Sequence, residues 1–217
     1  SDAAGIVRIR GGQFVITDST ISADTVNGDG APTSVDLNIT GNLQISDTRN
    51  SPAITARTTG TGNAGDVRIA AANFKAISTT DSPEPSSLID TATSGAGRAG
   101  NVTINTGTLE ASSVNQQFNF ISTGTLGEGN GGDVTITAAH VQLQNTTINT
   151  GDAFARSLFQ EASGSAGNLT ITADSLQLNN AGLDTAAFSA FADSQQAGDI
   201  TLNVRDINMN SGAISAI

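Results

Sequence analysis

Ten residues, "GEGNGGDVTI" at 127–136, carry the first candidate chemistry. Gly127, Gly129 and Gly132 match G-x-G-x-x-G, the pattern that brings backbone N–H groups up to the pyrophosphate of a dinucleotide. That chemistry requires a helix N-terminus directly after the third glycine, aimed at the phosphates. Here "DVTIT" follows, and its strict alternation reads as a strand. The nucleotide reading fails at the element that would have to do the binding.

Other residue types are weighed in the same way. "GNGGDV" has the Gly-Asp character of calcium-binding nonapeptide repeats, but its relatives in this chain recur every 28–35 residues, not every nine. A turn is the reading, with calcium at loop carboxylates incidental at most. Polysaccharide hydrolysis needs two carboxyl groups at a set separation in a cleft. Asp90 and Asp184 hold equivalent places in the repeat, three units apart, and Asp81 and Glu84 sit in a proline-containing insert, so no pair clusters. Trp and Tyr are absent, which removes the usual sugar-stacking platforms. His140 is the only histidine and Cys is absent, so neither a transition-metal site nor a Ser-His-Asp set is indicated. No catalytic residue, metal or cofactor is expected.

The elements that hold these residues come from a repeat. "GTGNAG" (60–65) and "GAGRAG" (95–100) fit the same glycine pattern, each followed by a short alternating run. Weaker copies begin at Ala4, Thr33, Ala166 and Ala197. The anchors Gly5, Thr33, Gly65, Gly100, Gly132, Gly167 and Gly198 are spaced by 28, 32, 35, 32, 35 and 31 residues. Each unit contains three β-patterns. The first runs Val7/Ile9, Val35/Leu37, Val67/Ile69, Val102/Ile104, Val134/Ile136, Leu169/Ile171 and Ile200/Leu202. The second runs Phe14/Ile16, Leu43/Ile45, Phe74/Ala76, Leu109/Ala111, Val141/Leu143, Leu176/Leu178 and Ile207/Met209. The third is one large aliphatic, any residue, then Ala or Thr, at Ile21, Ile54, Ile89, Ile121, Ile148, Leu183 and Ile214.

Period-2 alternation gives each pattern one buried face. A single unit cannot bury its aliphatics, whereas stacked units can. The expected fold is all-β: a single-stranded parallel β-helix of about seven turns, with three short strands per turn and loop insertions, forming one domain over residues 1–217. The one helix candidate, "AFARSLFQEA", is a loop insert. The repeat glycines are expected to supply positive φ and close turn-to-turn approach at the corner before the first strand. The following column, Asp66, Asn101, Asp133, Asn168 and Asp199, alternates acid and amide, which keeps like charges two strand spacings apart.

Composition narrows the function classes. A net charge of −11 disfavours nucleic acid and anionic membranes. No apolar run approaches the length of a membrane span. The chain starts at Ser1 without an initiator Met and stops within the third strand of its last turn, as expected of an internal piece of a longer rod.

Segments such as "AGNVTINTGTLEASS", "GGDVTITAAHVQLQNTTINT" and "AGNLTITADSLQLNNAGLDT" resemble the shaft of filamentous haemagglutinin-type exoproteins, especially the large cyanobacterial ones. The resemblance covers essentially the whole chain. It implies a right-handed β-helix, two-partner export through an outer-membrane secretion pore, and adhesion at the surface of a Gram-negative-type cell. Host or neighbouring-cell surfaces or glycans would be the partners. The family's N-terminal secretion domain carries an Asn-Pro motif, and this chain contains no Asn-Pro dipeptide. The expected function is a non-enzymatic structural and adhesive shaft segment. The alternative is a β-helix carbohydrate-active enzyme or a polysaccharide-binding module.

Two further features bear on contact. Thr103, Thr135, Thr170 and Thr201 form one column and Thr137 and Thr172 a second. Regular Thr arrays can order water against ice, but Arg8, Asp36 and Arg68 interrupt the first column, so a solvated β-favouring ladder is the reading. Six of the eight phenylalanines, Phe118, Phe120, Phe154, Phe159, Phe188 and Phe191, fall outside the repeating strands. They are candidate partner-contact loops, or a satellite core pinning the inserts.

Overall fold

The computed structural model describes residues 5–47, 51–79, 86–114, 118–151, 164–187 and 195–217. Parallel strands stack into a β-solenoid of two sheets, with no helix among the described residues. The first sheet contains β1 (Val7–Gly11), β2 (Phe14–Thr17), β4 (Val35–Asp47), β6 (Val67–Ser78), β8 (Val102–Ser113), β10 (Val134–Gln144), β12 (Leu169–Asn179) and β14 (Ile200–Asn210). The second contains β3 (Ile21–Ser22), β5 (Ile54–Thr55), β7 (Ser86–Asp90), β9 (Phe118–Ser122), β11 (Thr147–Asn149), β13 (Gly182–Asp184) and β15 (Ala213–Ser215). Each sheet runs in strict repeat order, giving seven rungs over about 30 Å at the usual strand spacing.

The register follows the sequence columns. Val102 pairs with Val67 and Val134, Leu109 with Phe74 and Val141, and Ile121 with Ile89 and Ile148. From the second rung to the sixth, all three aliphatic columns are buried. A fully buried aliphatic contributes about 1.5–3 kcal/mol, and each is flanked by its equivalents one rung above and below. In the last rung Ile207, Met209 and Ile214 have a neighbour on one side only and are 42–48% exposed.

The expected three strands per turn are corrected in one respect. From the second rung onward the first and second patterns belong to one continuous strand, and only β1 and β2 are separate. Ile104 and Leu109 are both buried although five residues apart. An odd step cannot leave two residues on one face of a straight strand, so the chain turns a corner between them. Pairing persists through that corner at Asn105, Thr106 and Thr108, which keeps the strand unbroken.

The glycines meet one of their two expectations, close approach, and not the other, positive φ. No described glycine has positive φ; the left-handed positions are Asp18, Asn145, Asn180 and Ser211, at φ 45–55°. These mark the corner after the long strand, where short polar side chains tolerate that conformation. The Asn180 amide donates to Asn145 Oδ1 (3.0 Å), and the Asn145 amide donates to the Ser113 carbonyl (3.0 Å). What the glycines supply is closeness. A Cβ on Gly100, Gly132, Gly167 or Gly198 would lie 1.9–2.1 Å from the carbonyl oxygen of the preceding anchor glycine. Gly97, Gly129 and Gly164 make a second such stack, and Gly95 and Gly127 belong to a third. Each G-x-G-x-x-G is thus one layer of three stacked glycine columns.

Two devices close each rung at this glycine corner. In Thr91, Thr123, Thr150 and Thr185 the hydroxyl donates at 2.6 Å to the carbonyl of Gly100, Gly132, Gly167 and Gly198 respectively. The same glycine's N–H donates back to the threonine carbonyl at 2.8–3.0 Å. Beside this clamp, the Asp/Asn column forms a ladder. Oδ1 of Asp66, Asn101, Asp133 and Asn168 accepts the backbone N–H of the next member at 2.8–2.9 Å. The Asn168 amide also donates to Asp133 Oδ1 (3.3 Å).

Either Asp or Asn supplies that acceptor, so the amides' neutrality is what spaces the carboxylates, helped by the Asn168 amide and by Arg98, which lies 3.2 Å from Asp133. The double substitution Asn101→Asp and Asn168→Asp leaves five consecutive carboxylates. Each new neighbour pair costs on the order of 1 kcal/mol or less at an exposed site. The thermal midpoint should drop by several degrees at neutral pH and low salt and recover in high salt; an unchanged midpoint in low salt would rule the charge-spacing role out.

Candidate functional site

The nucleotide fingerprint is accounted for first. Asp133 follows Gly132 and β10 begins at Val134, so a strand stands where a phosphate-binding helix would start. The glycine N–H groups are directed to other rungs or to their own: that of Gly132 donates to the Thr123 carbonyl and that of Gly129 to the Gly95 carbonyl.

The carboxylates of the third strand are used locally. Oδ1 of Asp90, Asn149 and Asp184 each accepts the backbone N–H two residues on, at 2.9–3.0 Å, turning the chain out of the strand. Asp90 and Asp184 are three rungs apart along the register Asp90–Ser122–Asn149–Asp184. That is about 14 Å at the usual strand spacing, beyond the range of paired glycosidase carboxylates. Asp81 and Glu84 lie outside the described residues, as does "AFARSLFQEA".

Asp90 nevertheless has the most distinctive electrostatics described. It is buried, Ser87 Oγ donates to it (3.1 Å), and the Arg57 guanidinium lies 3.0 Å away. Burial raises its pKa above the ordinary 3.8, outweighing the attraction of Arg57, and the Asp24 carboxylate adds to the rise. Asp24 Oδ1 accepts the Arg57 backbone N–H (2.8 Å).

A sign follows for pH. Well below 3.8 Asp90 is protonated in both the folded and unfolded states. As pH rises through that value to the folded-state pKa, the unfolded chain gives up the proton first, so stability is lost. Asp90→Asn keeps the acceptor for the Ala92 N–H and removes the buried charge, and Arg57 remains 39% exposed to water. The variant should be more stable than the parent at pH 7 and lose that advantage at pH 3, read as urea midpoints at the two pH values. An advantage equal at both would contradict the assignment.

The phenylalanines divide. Phe120 is 1% exposed and lies in β9, with its ring centroid 5.8 Å from that of Phe74 at an interplanar angle of 56°. It belongs to the main core, which corrects the expectation of a loop contact residue. Phe118 opens β9. Phe154, Phe159, Phe188 and Phe191 lie outside the described residues. The threonine columns occur in the expected register, Thr103–Thr135–Thr170–Thr201 and Thr137–Thr172.

The surface feature that sequence reasoning missed lies on the outer face of the long strands, past their corner. Two adjoining shallow depressions are lined mainly by Asn42, Gln44, Asn73, Lys75, Thr108 and Glu110, and by Lys75, Glu110, Ser112, Gln142 and Gln144. Lys75 and Glu110 belong to both and pair at 3.3 Å. One wall is ordered by its own bonds: the Asn73 amide donates to Asn42 Oδ1 (2.9 Å) and Thr108 Oγ1 donates to Asn73 Oδ1 (2.8 Å). Further along the same column, His140 Nδ1 lies 2.9 Å from Ser175 Oγ, so His140 is an exposed strand residue. The signal was available in part in the alternation, because Gln44, Lys75, Glu110 and Gln142 each occupy an outward position between inward apolar residues.

Among the described residues no group of three His, Cys, Asp or Glu side chains is placed to hold a metal ion. Among the described residues no helix is long and apolar enough to cross a membrane. Comparison with protein-family models, with curated proteins and with solved structures finds no match to this chain.

Proposed function

We propose that this chain is a non-enzymatic shaft segment of an exported, surface-displayed adhesin-like protein. Its work is to hold other parts of the protein away from the cell and to offer its decorated faces for contact. The observation that carries this reading is where the recurring residues go. Glycine and Asp/Asn columns are absorbed in rung-to-rung contacts, and Thr123 and its equivalents in the clamps that close each rung, so the repeat serves continuity along an axis. Export through an outer-membrane pore and contact with cell surfaces or their glycans belong to the same reading, which rests on the repeat sequences. Beads coated with the chain should be retained on bacterial or host cell layers above beads coated with an unrelated protein of equal charge. Equal retention would defeat the adhesive part.

A second reading, a β-helix polysaccharide hydrolase, is favoured by one observation: a desolvated carboxyl of raised pKa at Asp90 beside a second carboxylate, the character of a general acid. Release of reducing ends from a polysaccharide panel by the parent chain, lost in Asp90→Asn, would establish it and displace the shaft reading.

A further inference from the structure

The paired depressions on the outer face of β4, β6, β8 and β10 deepen the contact role just proposed, and the inference rests on that role. We infer that this strip binds an extended, uncharged polysaccharide laid along the rod axis.

Three observations point to that ligand class. The depressions follow one another along the axis and share Lys75 and Glu110. A ligand spanning both therefore crosses successive rungs about 4.8 Å apart, and a polymer with one short repeating unit can present similar groups to each.

Next, the lining carries no net charge and mixes amide and hydroxyl groups with carbon from Leu43, Phe74, Ile77 and Ala111 at its floor, as the hydroxyl-bearing edges and C–H faces of a sugar do. Lys75 and Glu110 are the charged side chains in it, and they neutralise each other at 3.3 Å while both remain about half exposed. A polyanion would have to displace Glu110 and approach a chain of net charge −11, at a Coulombic cost.

Last, the donors and acceptors match hydroxyl groups. Gln44, Gln142 and Gln144 make no side-chain hydrogen bond to the described residues, and each amide supplies both donors and an acceptor. Sugar hydroxyls, which donate and accept, satisfy such amides in pairs. The neighbouring wall of Asn42, Asn73 and Thr108 is held by its own hydrogen bonds, which limits the ordering cost of binding. With Trp and Tyr absent from the sequence, no stacking platform of those types adds affinity. Contact with each unit is weak, and useful affinity arises from several rungs together.

Affinity gel electrophoresis of the whole chain tests this, with dextran, laminarin or hydroxyethylcellulose cast in the gel and heparin and polygalacturonate as charged comparisons. Retardation is expected in at least one neutral polymer. It should fall at least tenfold in a Gln44→Ala/Gln142→Ala variant whose thermal midpoint matches the parent's. Retardation by the charged polymers alone, by none, or equally in the variant overturns the inference. The bead assay separates the two levels: chain that adheres to cells but ignores neutral polymers loses the strip and keeps the adhesin reading. Chain that adheres to nothing and ignores the polymers loses both.

Discussion

Replacing Gly132 with alanine should disrupt the packing of three consecutive rungs. The new Cβ would lie 2.0 Å from the carbonyl oxygen of Gly100 and 2.6 Å from its carbonyl carbon. Both are backbone atoms, so no side-chain rotation relieves the contact. The rungs must separate, and separation strains the Thr123 clamp, which holds Gly132 by two hydrogen bonds, and the Asn101–Asp133 step of the Asp/Asn ladder. Overpacking in cores costs about 1–3 kcal/mol and occasionally more; with two buried hydrogen bonds weakened as well, a loss of roughly 3 kcal/mol or above is expected. The opposing gain from a stiffer unfolded chain is below about 1 kcal/mol. Gly12 is the internal control, because a Cβ there has nothing within 4 Å; Gly12→Ala should stay within about 0.5 kcal/mol of the parent. Urea midpoints by far-UV circular dichroism compare the two, and amide exchange localises the damage to β8, β10 and β12. Equal midpoints would mean that the glycine columns are not set by contact.

Phe120→Ala should cost about 3–5 kcal/mol, the range for removing a buried aromatic from a core. Its ring is closed off from water and tilted against Phe74 of the rung below, so truncation empties space between two rungs at once. Phe120→Leu should recover part of the loss. A truncation that moves the urea midpoint by less than about 0.5 kcal/mol, the range of ordinary surface changes, would return Phe120 to the surface. The solenoid can lose rungs separately, so midpoints should be read with amide exchange and not from one two-state fit.

Phe120 also shows where sequence reading stops. It directly precedes Ile121, and both are buried, as are Leu88 and Ile89 one rung earlier. Two adjacent buried residues break the alternation by which inward positions were identified, and the inserts before β7 and β9 hid the equivalence. Elsewhere the aliphatic columns paired as read, because a recurrent V-x-I with known spacing leaves one register that buries every copy. Of the two properties expected of the glycines, close approach holds and positive φ does not. Sequence shows that a Cβ is excluded, while φ and contact, the two reasons for excluding it, separate only in coordinates. The polar strip was legible in part: alternation names Gln44, Lys75, Glu110 and Gln142 as outward, but no pattern reveals that the surface is depressed there.

The Thr–Gly clamp has a consequence for how such a chain is made. Its partners are 9 to 17 residues apart, and ladder partners in the sheets are separated by about 27 to 35. Contacts therefore stay local however many rungs are added, and the entropy of closing a loop is met once per rung at a nearly constant size. Each coil can close on the one before it, with the finished rung serving as template and no need for the far terminus. Assembly then proceeds at the growing tip, and the last rung laid down always presents an open edge for the next.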